Sequence, residues 1–298
     1  MAHSSISDAR SSQGLRVKIV ALMLHVRWQN VVGLAISQYV AAVMLFNDVS
    51  EWQQTLSEGK LHGLIFSVAF LVAGGYLINN FYDREKDRIN RPIRTAIESN
   101  IRKSSVLYGY LAFTLTGSLL ALLVSGRAFL YYSAYAFLLW AYSHKFKRIT
   151  LLGNLVATLL VVVPFFGLLL YYHVQRPVVV YYGFFYSWLF FMRESVKDIR
   201  YYKGDMLLTY QTVPVVFGLR RAIAFLRAYA FVGMLISLGL FALSVHDVLS
   251  AFALLIFVFF VVIWFRFRGS RAVKWAPSIH TVLRVFLILG ILVLPLLR

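Results

Sequence analysis

Two acidic stretches, residues 79–88 and 193–205, hold the side chains best suited to chemistry. They contain six of the 12 Asp and Glu residues in a chain of 298, namely Asp83, Glu85, Asp87, Glu194, Asp198 and Asp205. A helix that continued to Asp87 would place Asn79, Asp83 and Asp87 within about 80° of one another on one face. Carboxylates beside Arg and Lys at the ends of apolar helices indicate a site for a hard cation and a phosphate group.

The second stretch has the same character. If it is helical throughout, Glu194, Asp198 and Asp205 fall within about 40° of one another, and Tyr202 falls close by. Gly204 weighs against continuation of the helix to Asp205. The simpler interpretation of either stretch is a solvated cluster of charges at a helix end, and Glu85 taken alone fits that interpretation.

Basic residues near these stretches are candidates to neutralise phosphate, because guanidinium and ammonium groups bind phosphate oxygens. The candidates are Arg88, Arg91, Arg94, Lys145, Lys147, Arg193 and Lys197. Each alone is also explained as a charge that sets membrane topology. Arg193 and Lys197 are stronger candidates because they flank carboxylates at the end of a helix.

The composition is that of an all-α, polytopic membrane protein. Hydrophobic residues make up 60% of the chain and charged residues only 14%, whereas about a quarter are charged in soluble domains. Several apolar runs reach the length that spans a bilayer. They lie at residues 28–47, 61–82, 105–125, 128–142, 150–172, 177–192, 222–245, 248–265 and 277–297. Cys is absent, which excludes disulfides, thiolate nucleophiles and Cys-bound zinc.

The distribution of Lys and Arg predicts the orientation. Positive charge concentrates before the first apolar segment and in every second connection after it, and such charge belongs on the cytoplasmic side. We expect residues 1–27 to be a cytoplasmic tail and residues 28–298 to be a single transmembrane domain of nine helices in the cytoplasmic membrane. Both acidic stretches then lie at the cytoplasmic face. Topology and attraction to anionic lipid explain most of the net charge of +18, so no nucleic-acid partner is needed.

The motifs resemble those of the UbiA superfamily of intramembrane prenyltransferases along most of the chain. Asn79-x3-Asp83-x3-Asp87, followed by Arg88, Arg91 and Arg94, is similar to the first aspartate-rich motif. The family's second aspartate-rich motif is similar to Arg193-Glu194-x2-Lys197-Asp198-x5-Gly204-Asp205 of this chain, which is followed by Thr212-Val213-Pro214 and Gly218. Arg27-x2-Asn30, Tyr142-Ser143, Lys147 and Gly153-Asn154 resemble further family positions. The second motif is closest in form to the geranylgeranylglyceryl phosphate geranylgeranyltransferase branch.

The resemblance implies a nine-helix bundle around a central cavity, with Mg²⁺ as cofactor and a prenyl diphosphate, geranylgeranyl diphosphate for this branch, as substrate. It implies catalytic roles for Asp83, Asp87 and Asp198. The implied metal ligands are Asn79, Asp83, Asp87, Glu194, Asp198 and Asp205. The implied substrate-binding residues are Asn30, Asn79, Arg88, Arg91, Arg94, Tyr142, Lys147, Asn154, Arg193 and Lys197. The other implied partners are a lipid or aromatic acceptor and the surrounding membrane lipids.

Two departures from the family pattern bear on these roles. The family often has Asn-Asp where this chain has Asn79-Asn80, and its second motif usually has a further Asp where this chain has Tyr201 and Tyr202. The leading hypothesis is transfer to geranylgeranylglyceryl phosphate. The alternatives are an aromatic prenyltransferase of quinone, haem or chlorophyll biosynthesis, a membrane transporter, and a non-catalytic relative of the family.

Overall fold

The computed structural model describes residues 18–46, 49–90, 92–174, 176–207, 210–269 and 271–297, and the regular structure of these residues is helical. Nine long helices within them each overlap one predicted apolar segment. They are α1 (Trp28–Ala41), α2 (Gly59–Asn90), α3 (Lys103–Val124), α4 (Gly126–His144), α5 (Leu152–Tyr171), α6 (Pro177–Leu207), α7 (Leu219–Leu243), α8 (Asp247–Arg266) and α9 (Arg271–Val293).

Shorter helical segments connect or extend these helices. They are residues 18–26, the π-helix Ala42–Phe46, the 3₁₀ turns Val49–Glu51, Phe146–Arg148 and Leu294–Leu297, and the α-helices Trp52–Leu56, Pro92–Glu98 and Val213–Phe217. Part of the predicted tail, residues 18–26, is therefore helical. Arg27, with a φ of 49°, separates this segment from α1.

The described residues include seven helices that are long and apolar enough to cross a membrane; α4 and α6 fall outside that set. Backbone N–H and C=O groups without hydrogen-bond partners are costly in lipid, and a helix pairs these groups within itself. The chain is therefore an integral membrane protein built from helices, as its composition predicts.

The chain divides into two compact units. The first comprises residues 1–36 and 59–144, and in it α2, α3 and α4 pack against one another. The buried Ser67 hydroxyl on α2 donates a 2.7 Å hydrogen bond to the Gly117 carbonyl on α3. α2 continues well past its apolar run, as far as Asn90.

The second unit comprises residues 37–58 and 145–298, with α6 packed against α5, α7 and α9. Hydrogen bonds from the polar atoms of a buried tyrosine and a half-buried tryptophan join α6 to its neighbours. Tyr182 donates to the Gly290 carbonyl at 2.6 Å, and Trp188 donates to the Tyr229 carbonyl at 3.1 Å. These bonds satisfy the polar end of large apolar side chains and hold α6 in a fixed orientation.

Candidate metal and diphosphate site

The first acidic stretch lies on one continuous helix, as its spacing predicts. α2 runs from Gly59 to Asn90, so Asn79, Asp83 and Asp87 share one of its faces, and all three are half-buried. Glu85 is exposed, in agreement with its interpretation as a solvated charge. Arg88 is exposed at the same end of the helix.

Tyr76 belongs to this face as well, about 60° around the helix from Asn79, although the motif did not reveal it. The Asn30 side-chain amide donates a 3.1 Å hydrogen bond to the Tyr76 hydroxyl. The Arg27 guanidinium lies 5.0 Å from the centre of the Tyr76 ring, at the distance of a cation–π contact. Asn30, predicted to bind substrate, therefore contacts the acidic face through Tyr76.

The contacts of Asn80 explain why this chain has Asn79-Asn80 where the family often has Asn-Asp. It is buried, and its side-chain amide donates a 3.0 Å hydrogen bond to the backbone carbonyl of His25. An ionised Asp at this position accepts hydrogen bonds and cannot donate one. The Asn80 side chain thus connects the helical segment 18–26 to the acidic end of α2 by a hydrogen bond.

The second acidic stretch also lies on a single helix, which continues past Gly204 to Leu207. Glu194, Asp198 and Asp205 are 5%, 6% and 4% exposed. One Gly costs a helix only about 1 kcal/mol, and the helix places Asp205 on the buried side with Asp198. Gly204 weighed against this continuation in the sequence, but the helix includes Gly204, and Asp205 joins the acidic face.

The two tyrosines that stand near the family's usual Asp differ in position. Tyr201 is exposed, and the Arg200 guanidinium lies 5.2 Å from the centre of its ring. Tyr202 is half-buried and lies about 40° from Asp198 around the helix. Asp205, and not either tyrosine, supplies the further carboxylate near Asp198.

Both oxygens of the Glu194 carboxylate are engaged by basic side chains. Oε1 is 3.0 Å from Nη1 of Arg193, and Oε2 is paired with Nζ of Lys197. Burial alone raises the pKa of Glu194, but the charges of Lys197 and Arg193 outweigh it and lower that pKa below its usual range. Glu194 is therefore ionised and holds two predicted phosphate-binding residues in place.

Asp198 is held by a residue of the preceding helix. The Asn154 side-chain amide on α5 donates a 2.8 Å hydrogen bond to Oδ2 of Asp198. Burial raises the pKa of Asp198 to about 6, against the opposing effects of the Lys197 charge and the Asn154 hydrogen bond. Such a shift is typical of carboxylates at functional sites. The predicted substrate-binding residue Asn154 thus positions a predicted catalytic carboxylate.

The backbone around Asn154 explains the Gly153-Asn154 pair. A Cβ on Gly153 would lie 3.2 Å from the Lys147 carbonyl oxygen, closer than an ordinary van der Waals contact. Glycine therefore lets the turn Phe146–Arg148 pack against the first turn of α5. A small cavity beside Asp198 and Asn154 is also lined by Ser195 and by apolar and aromatic residues that include Val213, Phe225 and Tyr229.

The remaining predicted residues are placed as follows. Tyr142 is half-buried near the end of α4, and Lys147 is half-buried in the turn Phe146–Arg148. Lys145 is exposed just before that turn, and the backbone of Arg94 lies in the helix Pro92–Glu98. The prediction for Arg91 lies outside the described residues.

The carboxylates suit a metal that is shared with substrate. Within the described ranges, no three His, Asp or Glu side chains converge to form a complete metal cage. Mg²⁺ commonly binds one or two carboxylates and takes its other ligands from phosphate oxygens and water. Asp83, Asp87, Asp198 and Asp205 fit that mode of binding, whereas Glu194 is already paired with two cations.

Comparison with known proteins identifies the family. Residues 36–290 match the model of the UbiA prenyltransferase family. The chain belongs to this family. It is therefore a prenyltransferase, and the transporter alternative is set aside.

Curated relatives agree with one another in name. The chain is 27% identical over 281 residues to digeranylgeranylglyceryl phosphate synthase of Saccharolobus solfataricus, covering 93% of this chain and 96% of that protein. It is 31% identical over 201 residues to the synthase of the same name from Sulfurisphaera tokodaii, covering 66% of this chain and 69% of the relative.

Solved structures share the fold. One comes from a study of digeranylgeranylglyceryl phosphate synthase in membranes; it superposes with a TM-score of 0.71 at 19% identity and covers 93% of this chain and 97% of its own. A UbiA homologue from Archaeoglobus fulgidus bound to GPP and Mg²⁺ superposes with a TM-score of 0.62 at 17% identity, covering 91% of this chain and 99% of its own.

Proposed function

We propose that this prenyltransferase is Mg²⁺-dependent and transfers a geranylgeranyl group from its diphosphate to the glycerol hydroxyl of geranylgeranylglyceryl phosphate. The names of the curated relatives support this acceptor. The observation that carries the proposal is the buried face of α6, where Asp198 and Asp205 lie beside a Lys197 and an Arg193 that are held by Glu194. A buried face with both carboxylates and cations suits a metal-bound diphosphate.

The reaction breaks the allylic C–O bond of the prenyl diphosphate, and the electron pair leaves with the diphosphate. The acceptor oxygen forms the new C–O bond, and its proton passes to water or to the released diphosphate. Bound Mg²⁺ supplies stabilisation of the negative charge that develops on the departing diphosphate. Preorganised charges aimed at that developing charge lower the barrier without reorganising during the reaction.

The chain's own residues divide into three roles in this proposal. Asp83 and Asp87, with Asn79 on the same face of α2, would serve as metal ligands, and so would Asp198 and Asp205 on α6. Arg193 and Lys197 neutralise diphosphate oxygens, together with Arg88, Arg94 and Lys147. Glu194, Asn154 and Asn30 position neighbouring groups through the contacts described above.

The proposal includes the predicted membrane arrangement: nine spans, a cytoplasmic N-terminus, and both acidic stretches at the cytoplasmic face of the cell membrane. The alternation of Lys and Arg between connections supports it. Apolar helices that enclose the prenyl chain would also exclude water, which otherwise captures an allylic cation.

The test is an assay of purified protein in detergent with geranylgeranyl diphosphate and Mg²⁺. Three acceptors are compared: geranylgeranylglyceryl phosphate, 4-hydroxybenzoate and a dihydroxynaphthoate. We expect product, detected by mass, with the first acceptor only, and loss of product when EDTA removes the metal. Product with an aromatic acceptor and none with the glyceryl phosphate lipid would replace this proposal with the aromatic prenyltransferase alternative.

A further inference from the structure

A small cavity in the first unit, lined by both polar and apolar side chains, lies beside the acidic face of α2. It is enclosed by the helical segment 18–26, the end of α2, the helix Pro92–Glu98 and the start of α3. Its charged and polar lining includes Asn80, Arg84, Asp87, Thr95, Glu98 and Lys103. Apart from Asp87, the prediction of the metal site does not use these side chains as ligands.

Two of the lining side chains are buried although they carry polar groups. Thr95 and Glu98 are each 7% exposed. The Thr95 Oγ1 atom is buried and has no hydrogen-bond partner. A buried hydroxyl without a partner costs about 1–3 kcal/mol, so the Thr95 hydroxyl is available to bond to a molecule that enters the cavity.

The chemistry of the lining narrows the class of ligand. Asp87 and Glu98 supply carboxylate oxygens, and Arg84 and Lys103 supply cations. Lys103 lies at the rim of this group, with Nζ 4.6 Å from the centre of the Phe81 ring. A ligand that bears both a phosphate and a free hydroxyl can use both kinds of group, since phosphate accepts from cations and a hydroxyl donates to a carboxylate.

A dedicated metal site fits less well. Within the part of the chain that the structure describes, no three His, Asp or Glu side chains converge, and this cavity offers two carboxylates beside two cations. The cations would repel a second metal ion.

We infer that this cavity binds the phosphoglycerol headgroup of the acceptor. Glu98 accepts a hydrogen bond from a glycerol hydroxyl, the Thr95 hydroxyl bonds to the headgroup, and Arg84 and Lys103 neutralise its phosphate. The inference rests on the proposed function and adds a substrate subsite to it. Because Asp87 borders both the cavity and the acidic face of α2, an acceptor bound here lies next to one of the proposed metal-binding residues.

The test replaces single side chains without changing their shape. Thr95→Val and Glu98→Gln should each raise the acceptor KM roughly tenfold, with the KM of geranylgeranyl diphosphate unchanged. Ser99→Ala is the matched control, because Ser99 borders the same cavity but its hydroxyl already donates to the Ala96 carbonyl at 2.7 Å. We expect Ser99→Ala to leave both constants as in the wild type.

A direct binding measurement separates this role from a structural one. Geranylgeranylglyceryl phosphate is titrated into full-length protein in detergent without prenyl diphosphate, and dioleoylphosphatidic acid is titrated separately as an anionic lipid that has a phosphate but no free hydroxyl. Thr95→Val should weaken binding of the former roughly tenfold and leave the latter unchanged. The melting temperature of the Thr95→Val protein should not fall below that of the wild type, since a methyl group replaces a hydroxyl that has no partner.

The outcomes distinguish failure of this inference from failure of the proposed function. If the wild type makes the product but Thr95→Val and Glu98→Gln behave like Ser99→Ala, the headgroup subsite is overturned and the function stands. Equal weakening for both lipids would also overturn it and indicate a general anionic-lipid site. If the wild type neither binds nor uses the glyceryl phosphate lipid, the proposed function fails, and the subsite fails with it.

Discussion

The Asn154 side-chain amide on α5 donates a 2.8 Å hydrogen bond to Oδ2 of Asp198 on α6, and both residues are buried. The pair joins two helices at the point where the second acidic motif leaves the apolar part of α6. An amide donor fixes the rotamer of the carboxylate and favours its ionised form, which is the form that can bind a metal.

Replacing Asn154 should therefore impair catalysis through Asp198. Asn154→Ala removes the donor and leaves a buried carboxylate oxygen unsatisfied, at a cost of about 1–3 kcal/mol. We expect kcat to fall roughly tenfold to a hundredfold, with the larger effect at lower pH because the Asp198 carboxyl loses a bond that favours ionisation. Steady-state rates across pH 5.5–8 measure this.

Thr158→Val is the control for that experiment, because Thr158 lies on the same helix and donates only to the Asn154 backbone carbonyl at 2.8 Å. An Asn154→Ala rate equal to the wild-type rate at every pH would show that the bond is structural only.

A second prediction concerns Glu194, whose carboxylate is paired with Arg193 and Lys197. If Glu194 positions these cations, Glu194→Gln should raise the KM of the prenyl diphosphate several-fold and leave the Mg²⁺ concentration for half-maximal rate unchanged. A metal ligand would behave differently, because its loss raises the Mg²⁺ requirement. Titrations of Mg²⁺ and of prenyl diphosphate on wild type and variant decide between the two roles.

The carboxylates of the two acidic faces should matter far more than the exposed one. Asp83→Asn and Asp198→Asn each remove a charge from the proposed metal and diphosphate site, and we expect a loss of rate on the order of a hundredfold or more. Glu85→Gln should change the rate by less than about twofold, because Glu85 is exposed. Near-wild-type turnover by Asp83→Asn would remove α2 from the proposed site.

The acidic faces could be predicted from sequence because they depend on local geometry. Asn79, Asp83 and Asp87 share a face wherever the helix persists, and the sequence contains no Gly or Pro between Asn79 and Pro92. The same reasoning weighed Gly204 against continuation of α6, but the local cost of one Gly is small beside the packing of the buried residues around it, such as Ile199 and Asp205.

Contacts between residues that are distant in sequence lay beyond prediction. The bond from Asn154 to Asp198 spans 44 residues, and that from Asn80 to the His25 carbonyl spans 55. Thr95 and Glu98 belong to a polar segment that pattern alone assigns to solvent, yet both are buried. Such burial depends on how helices pack, and nothing in the spacing of residues records it.

Gly218 gives a prediction about stability. It precedes α7 with φ 82° and ψ 155°, a conformation that is essentially restricted to glycine and costs other residues about 1–3 kcal/mol. Gly218→Ala should lower the melting temperature in detergent by several degrees. Gly33→Ala is the matched control, since Gly33 lies within α1 and a Cβ there meets no atom within 4 Å. A Gly218→Ala protein as stable as Gly33→Ala would contradict the backbone argument.

The proposed topology can be tested cleanly because the chain contains no Cys. Single cysteines at exposed positions are labelled in sealed vesicles with a reagent that does not cross the membrane. Lys60→Cys, in the first turn of α2, and Asn100→Cys, beyond the end of α2, are both at exposed positions and should report opposite faces, with Asn100→Cys cytoplasmic. Labelling of both from one side would contradict the orientation inferred from the Lys and Arg distribution.

The same labelling decides whether α4 and α6 cross the membrane, since these two helices are less apolar than the seven that meet the criteria for a span. Gly126→Cys and Lys145→Cys flank α4, and Arg176→Cys and Lys203→Cys lie near the two ends of α6; all four positions are exposed. We expect each pair to report opposite faces, because nine crossings require both helices to span. If Lys145→Cys and Lys203→Cys are both labelled from the cytoplasmic side, the second acidic motif also lies at the cytoplasmic face. If either pair labels from one side only, the number of spans falls below nine and the positive charges that follow that helix do not lie where the proposal requires them.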